Sequence, residues 1–154
     1  MIPIIIWNTS GIGARVKYDY LEREIKNYKV CVTSILEHKQ NPSKIKEFSH
    51  YLRMHAAMHA DPYNLNIWVF WNKYVSVDLV KVGDQYITVK VITDVELVFV
   101  FFVYGSCDIQ KGERLWQDLN SFDLEEHLWI FVGDFNITVD PTEKKGSGGI
   151  SSCG

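Results

Sequence analysis

The stretch Leu128-Trp129-Ile130-Phe131-Val132-Gly133-Asp134-Phe135-Asn136 joins an apolar run to a short polar loop. Its first five residues are all aliphatic or aromatic, which predicts a β-strand over Leu128 to Val132. A carboxylate and an amide, those of Asp134 and Asn136, follow the glycine that ends this run. The sequence therefore predicts a pair of polar side chains at the end of a strand.

Three earlier strand candidates end in the same way. Asn8 follows an apolar run that begins at Ile2, Glu37 follows a β-branched run from Lys29 to Leu36, and Tyr104 ends the run that begins at Val95. Strand ends of one sheet can converge on one cleft. A carboxylate such as Glu37 suits Mg²⁺, which prefers oxygen ligands, and the carboxylate of Asp134 could orient or deprotonate a water molecule.

Hydrophobic spacing predicts the elements between these strand ends. Helical spacing covers Val16 to Tyr28 and Gly112 to Phe122, and Asn41-Pro42 opens a further helix with a cap residue followed by proline. The run from Val95 to Tyr104 carries only Glu96 as a charge, which predicts that both of its faces are buried. The middle of the chain reads as an antiparallel meander, with strand candidates at 66–71, 75–82, 85–93 and 95–104. This order predicts mixed sheets with helices outside, an α+β fold.

Composition limits the class of protein. Hydrophobic residues make up 47% of the 154 residues and aromatic residues 14%, which favours a folded core over disorder. The formal net charge is -3, so a polyanionic substrate would have to be held by local positive charge and a metal ion. No run of about 20 apolar residues and no signal peptide is visible, so we expect no membrane association and an intracellular protein, nuclear or cytoplasmic.

The cysteines and one histidine pair carry weaker signals. Cys31, Cys107 and Cys153 are odd in number and far apart, so free thiols are the simplest expectation. His55 and His59 have the spacing of a helical zinc pair, but the catalytic glutamate of that motif is missing. We interpret both histidines as solvated helix or loop residues.

Short motifs along the chain resemble the endonuclease/exonuclease/phosphatase (DNase I-like) superfamily. The resemblance is carried by Trp7-Asn8 with Gly11, by Leu36-Glu37-His38-Lys39, by Val103-Tyr104-Gly105, and by Gly133-Asp134-Phe135-Asn136, which matches the GDFN motif without change. Three further segments are similar to the plant LINE-type retrotransposon endonucleases: Ile67 to Trp71, Arg114-Leu115-Trp116 and Glu143 to Gly146. The resemblance runs from about residue 4 to about residue 149.

This resemblance implies a four-layer α/β/β/α sandwich and Mg²⁺-dependent (or Mn²⁺-dependent) hydrolysis of DNA or another phosphodiester. Glu37 would bind the metal, with Asn8 beside it. Tyr104 would hydrogen-bond the scissile phosphate, Asp134 would activate the attacking water, and Asn136 would steady the phosphate in the transition state.

The sequence departs from the family pattern towards its C-terminal end. The later family motifs, an aspartate that supports the metal site and a closing Ser-Asp-His, are absent, and Thr9-Ser10 stands where a basic residue is common. We therefore expect an incomplete fold, with residues 1–146 a partial domain, residues 147–154 a flexible tail, and activity weak or lost. The second sheet would come largely from the missing half. Val95 to Tyr104 and Ile67 to Trp71 would then lack cover, and the chain would self-associate.

Other functions and other roles for these residues stay open at this point. The chain could be a non-catalytic binding or interaction module, or a retroelement remnant without a selected role. The sequence does not choose among DNA, RNA, an abasic site and a small phosphate ester as substrate. Each residue of the set also has an ordinary structural interpretation, as a turn former, a solvated carboxylate or an interior aromatic with a satisfied hydroxyl.

Overall fold

The computed structural model describes residues 1–60, 64–123 and 126–136. The predicted boundary between residues 146 and 147, the predicted tail and the Glu143 to Gly146 segment lie outside the described residues. In the part that is described, no helix is both long enough and apolar enough to cross a membrane.

The strands of the described chain form two four-stranded sheets. The first sheet has the order β1-β2-β4-β3, with β1 parallel to β2 and with β2 and β3 antiparallel to β4. The second sheet has the order β5-β6-β7-β8, antiparallel except that β8 runs parallel to β7. The strands are β1 (Ile4–Asn8), β2 (Val32–Leu36), β3 (Ala56–Ala60), β4 (Asn64–Trp71), β5 (Ser76–Val82), β6 (Tyr86–Ile92), β7 (Leu97–Tyr104) and β8 (Leu128–Asp134).

Three helices accompany the sheets: α1 (Arg15–Asn27), α2 (Ile45–Tyr51) and α3 (Ile109–Asn120). A 3₁₀ turn over Pro42–Lys44 precedes α2, and the Asn41 side chain caps it by accepting a hydrogen bond from the Ser43 N–H. Asp108 caps α3 in the same way, accepting from the Lys111 N–H at 2.9 Å. Helix α3 therefore begins three residues before the predicted start at Gly112.

The two sheets pack face to face around one apolar layer. Side chains of β2 and β4 meet those of β6 and β7 there, among them Leu36, Val69, Val89 and Phe102. Helices α1 and α2 cover the outer face of the first sheet, and α3 covers the outer face of the second. Both faces of β7 are buried, but against different partners: Phe102 packs in the layer between the sheets, and Phe101 packs against α3. This explains why β7 does not alternate between apolar and polar residues.

The structure corrects the expectation that the second sheet is largely missing. Both sheets are present, and most of the two segments that should have lacked cover is buried: Ile67 to Phe70 and Val100 to Val103 are at 0% exposure, although Val95 is 88% exposed. Strands β5, β6 and β7 pair with one another and pack on the first sheet, so their apolar side chains on that side are already buried. Exposed apolar surface lies on β8 instead, where Leu128, Trp129 and Ile130 are 61%, 44% and 38% exposed. Among the described residues, β8 is at the end of its sheet and pairs with β7 alone.

Two smaller expectations are also wrong. His59 lies in strand β3, not in a helix or loop, because the Ala56–Ala60 segment pairs with β4 although it holds no β-branched residue. Cys107 is disulfide-bonded whereas Cys31 is free, so the expectation of free thiols fails at Cys107. Spacing along the chain cannot show which cysteines approach each other in the fold.

Candidate metal and phosphate site

The five polar residues predicted from the strand ends lie together. Parallel pairing sets Asn8 opposite Leu36, next to Glu37, and it sets Tyr104 opposite Asp134. The edge strands β1 and β8 bring these two pairs into contact, since the Asn8 side-chain amide donates to Asp134 Oδ2 at 3.1 Å. The Tyr104 hydroxyl donates to Glu37 Oε2, also at 3.1 Å. One rim of the sandwich therefore carries side chains from both sheets.

Both oxygens of the Glu37 carboxylate have a partner. Lys39 Nζ lies 3.1 Å from its Oε1, and the Tyr104 phenol occupies Oε2. The ammonium of Lys39 is the largest cause of a lowered pKa at Glu37; burial opposes it, and hydrogen bonds from Tyr104 and Asn8 add to it. Glu37 is therefore ionised at neutral pH and presents a carboxylate to an incoming cation.

The Tyr104 phenol is shifted in the opposite direction. Burial raises its pKa to about 12, and the hydrogen bond and negative charge of Glu37 and the charge of Asp134 act in the same direction. Loss of the phenolic proton would place a third negative charge beside these two carboxylates. Tyr104 is therefore a hydrogen-bond donor throughout the physiological pH range.

Two glycines allow the loops after β7 and β8 to approach each other. Gly133 has φ +141°, and a Cβ there would lie 1.9 Å from the Val103 carbonyl oxygen. A Cβ on Gly105 would lie 2.4 Å from the Phe135 carbonyl oxygen, and the Gly105 N–H donates to the Asp134 carbonyl. The glycines of the two motifs are thus required by backbone contact.

This contact holds Asp134 and Asn136 in place. The Asn136 N–H donates to Asp134 Oδ1 at 3.0 Å, and the Asn136 side-chain amide donates to the Gly105 carbonyl at 2.6 Å. With Asn8 on Oδ2, both oxygens of Asp134 have a donor. The carboxylate is therefore oriented by donors from two segments of chain, the end of β1 and the loop after β8.

Several residues around the site have strained backbone conformations. Four non-glycine residues near it have positive φ, namely Ser10, Glu37, Lys39 and Asn136. Each costs of order 1 kcal/mol or more, and such residues concentrate at functional sites. The Lys17 ammonium supports the loop by donating to the carbonyls of Thr9 and Gly11 at 2.6 and 2.8 Å.

A cavity of about 440 Å³ opens beside these groups, between the edge strands β1 and β8. Asn8 and Asp134 line it, and Ile4, Ile6, Leu36 and Val132 form its apolar wall. The cavity leaves room for a small ligand next to the two polar side chains.

The donors of this site fit a hard divalent cation. The groups are carboxylate, amide and phenol oxygens, and Mg²⁺ is usually bound by one or two carboxylates together with waters. Glu37 and Asp134 supply two carboxylates linked through Asn8. Among the described residues there is no cluster of three or more His, Cys, Asp or Glu side chains that could hold a metal ion. The site therefore fits Mg²⁺ or Mn²⁺ better than a closed zinc centre.

Two residues in contact with the set were not singled out as site residues from the sequence. Lys39 was quoted only as part of the glutamate motif, and its contact with Glu37 follows from the tight loop after β2. Gly105 was quoted only with the tyrosine strand. The signal for both was their position within two residues of a candidate polar residue.

Solved structures with a similar fold include endonucleases. D. rerio TDP2 complexed with single-strand DNA product has a TM-score of 0.62 and 16% identity, over 89% of this chain and 61% of that chain. The endonuclease domain of TRAS1, a telomere-specific non-LTR retrotransposon, has a TM-score of 0.63 and 12% identity, over 90% and 62%. An AP endonuclease from Archaeoglobus fulgidus has a TM-score of 0.59 and 19% identity, over 92% and 60%.

Neither a family model nor a curated protein sequence matches the chain. The chain spans 60–62% of the length of these three structures. All three belong to the DNase I-like superfamily, and at such low identity they show the fold alone. The predicted fold class is confirmed: this chain has an incomplete DNase I-like fold, a four-layer α/β/β/α sandwich.

Proposed function

We propose that this chain carries the site of a Mg²⁺-dependent (or Mn²⁺-dependent) phosphodiesterase of endonuclease type. One observation carries the proposal: hydrogen bonds from Asn8 to Asp134 and from Tyr104 to Glu37 join four strand ends of two sheets in one polar cluster. If these residues were only turn formers or solvated carboxylates, they would have no need of contacts between strands that are far apart in the sequence.

In this proposal Glu37 holds the metal, with Asn8 beside it. The cation, when bound, neutralises negative charge that develops on the phosphoryl oxygens. Tyr104 keeps its proton and donates to a phosphate oxygen. Asp134, held at both oxygens, orients the attacking water and accepts its proton, and Asn136 donates to the phosphate in the transition state.

We propose DNA as the substrate and the plant LINE-type retrotransposon endonucleases as the branch of origin. The DNA product in TDP2 and the retrotransposon source of the TRAS1 domain support both points. The net charge of -3 requires that DNA be attracted locally, and Lys39 stands at the site. A role on DNA would place the protein in the nucleus after synthesis in the cytoplasm.

Activity of the chain by itself is proposed to be weak. The sequence has no Ser-Asp-His, and His38, the histidine closest in sequence to Glu37, is buried and stacked on Trp68 with ring centroids 4.0 Å apart. Removing one member of a cooperating catalytic set typically lowers the rate by several orders of magnitude.

Supercoiled plasmid DNA tests the enzyme proposal. Incubation with Mg²⁺ should give slow nicking that EDTA prevents and that Glu37→Gln abolishes, since the amide keeps the shape of the side chain and removes its charge. Lys46→Gln on α2 is the matched control for a single surface change. Nicking that survives in Glu37→Gln would identify a contaminating nuclease and refute the assignment.

A second candidate is a binding module that has kept the fold and lost the chemistry. It is favoured by the missing Ser-Asp-His. It predicts Glu37-dependent Mn²⁺ binding and DNA binding with no nicking at any enzyme concentration, and Asp134→Ala would then leave DNA affinity unchanged. A retroelement remnant would show neither binding nor nicking.

We propose that the chain self-associates through β8, and not through Val95 to Tyr104 or Ile67 to Trp71 as first expected. Leu128 to Ile130 are exposed and uncharged on a strand that ends its sheet, and such edges pair with other chains. Sedimentation velocity should show dimers or larger species that Ile130→Lys reduces. A monomer at all concentrations in the unmodified chain would contradict this.

A further inference from the structure

The Lys39 ammonium lies where a cation would be expected to approach the Glu37 carboxylate. It lies 3.1 Å from Oε1, and Oε2 is already taken by the Tyr104 phenol. Both oxygens of the proposed metal ligand therefore have a partner. A cation that approaches Oε1 meets the like charge of the Lys39 ammonium, which lies 3.1 Å from that oxygen.

The loop after β2 keeps the Lys39 side chain in this position. Glu37 and Lys39 both have positive φ, +52° and +53°, which folds the chain tightly about the residue between them. That residue, His38, is buried against Trp68. The lysine stem runs along Gly11, where an added Cβ would lie 3.6 Å from Lys39 Cδ. Two residues with positive φ therefore flank His38, and the loop they form brings Lys39 Nζ back to Glu37.

Among the side chains that contact Glu37, Lys39 is the one whose charged group can leave most easily. The Lys39 side chain is 61% exposed, so the ammonium can return to water at little cost. The Tyr104 phenol is partly buried in the sandwich and donates only to Glu37. The nearby Lys17 is bound to two backbone carbonyls and does not contact Glu37 in the described structure.

We propose that Lys39 is a built-in competitor of the metal: its ammonium occupies Glu37 until a divalent cation displaces it. Lys39 thereby lowers the metal affinity of the site and keeps the carboxylate oriented while no metal is bound. This inference rests on the proposed function, in which Glu37 is the metal ligand. Lys39 is a positioning residue, since it acts through Glu37.

Direct titration of Mn²⁺ by calorimetry tests the competition. Lys39→Gln removes the competing charge and should bind Mn²⁺ about 3- to 10-fold more tightly, the order expected for loss of one exposed ion pair and one repelling charge. Lys39→Arg keeps the charge and should bind within about 2-fold of the unmodified protein. Lys46→Gln makes the same change of net charge as Lys39→Gln, but on α2, and should also bind Mn²⁺ within about 2-fold of the unmodified protein.

The unmodified protein provides a second readout. Acetylation of surface amines, followed by mass spectrometry, should label Lys39 faster when Mn²⁺ is present, because the displaced ammonium returns to solvent. Lys46 serves as the internal reference and should not change. This measurement does not depend on any variant folding correctly.

The outcomes separate the two proposals. If Glu37→Gln abolishes Mn²⁺ binding but Lys39→Gln binds equally or more weakly, Lys39 is not a competitor and the proposed function stands. If labelling of Lys39 is insensitive to Mn²⁺ that binds at Glu37, the competition is likewise refuted. If no Glu37-dependent binding exists in the unmodified protein, the metal site itself is refuted, and the competitor with it.

Discussion

Gly133→Ala should destabilise the fold more than its single methyl group would indicate. Gly133 pairs with Val103 across β7 and β8, has φ +141°, and leaves only 1.9 Å between a built Cβ and the Val103 carbonyl oxygen. The φ value costs about 1–3 kcal/mol in any other residue. The overlap must be relieved by a backbone shift that breaks local ladder hydrogen bonds, worth about 1 kcal/mol each. The sum is a loss of about 3–5 kcal/mol in the free energy of unfolding.

Gly112→Ala is a matched control in the same chain. Gly112 lies inside helix α3, and a Cβ built there has no atom within 4 Å. Alanine should stabilise this position by about 0.5–1 kcal/mol through its higher helix propensity. The same substitution is therefore expected to have opposite signs at two glycines.

Urea unfolding followed by circular dichroism measures both variants. With a shift of about 2–4 °C per kcal/mol for a chain of this size, Gly133→Ala should also melt about 6–20 °C lower. Because Gly133 precedes Asp134, the variant should lose Mn²⁺ affinity as well. A Gly133→Ala protein within about 1 kcal/mol of the original would refute the claim that backbone contact requires this glycine.

Three further predictions follow from the same contacts. The lowered pKa of Glu37 contributes stability that is present above the unfolded value of 4.5 and is lost as the pH falls through the folded pKa, so acid titration of stability should be shallower in Glu37→Gln. If the stability of Glu37→Gln fell with pH as steeply as that of the unmodified protein, this prediction would be wrong. Asn8→Ala and Asp134→Ala should show a coupling of about 0.5–1.5 kcal/mol in a double-mutant cycle of urea unfolding, and additive effects would mean that the bond between the sheets contributes nothing. Phe102→Ala, at 0% exposure between the sheets, should cost about 3–5 kcal/mol, whereas a cost below about 1 kcal/mol would place Phe102 outside the core.

Local patterns in the sequence were sufficient for most of the elements. Helical spacing predicted a helix over Val16 to Tyr28, where α1 lies, and the Asn41-Pro42 pair predicted the capped turn before α2. The lack of charge along β7 predicted burial on both of its faces. These features depend on residues a few positions apart, so a short window of sequence contains the physical information.

Strand pairing could not be obtained in this way. Ala56–Ala60 has little strand propensity and becomes β3 because it completes the hydrogen bonds of β4. The second sheet was expected to be missing because the chain lacks late family motifs, yet β5 to β8 form it from residues already present. A partner strand is chosen by contacts far apart in the chain, and no local pattern records that choice.

The same division applies to the candidate site. The order of the residues is enough to place polar side chains at the ends of four strands: Asn8, Glu37, Tyr104, and Asp134 with Asn136. It does not show that β1 and β8 are adjacent edges, so that Asn8 reaches Asp134, or that Lys39 turns back onto Glu37, which follows from the packing of the two sheets. The reason is that side-chain chemistry is a property of each residue, whereas hydrogen bonds and ion pairs depend on distances that exist only when two sheets have packed.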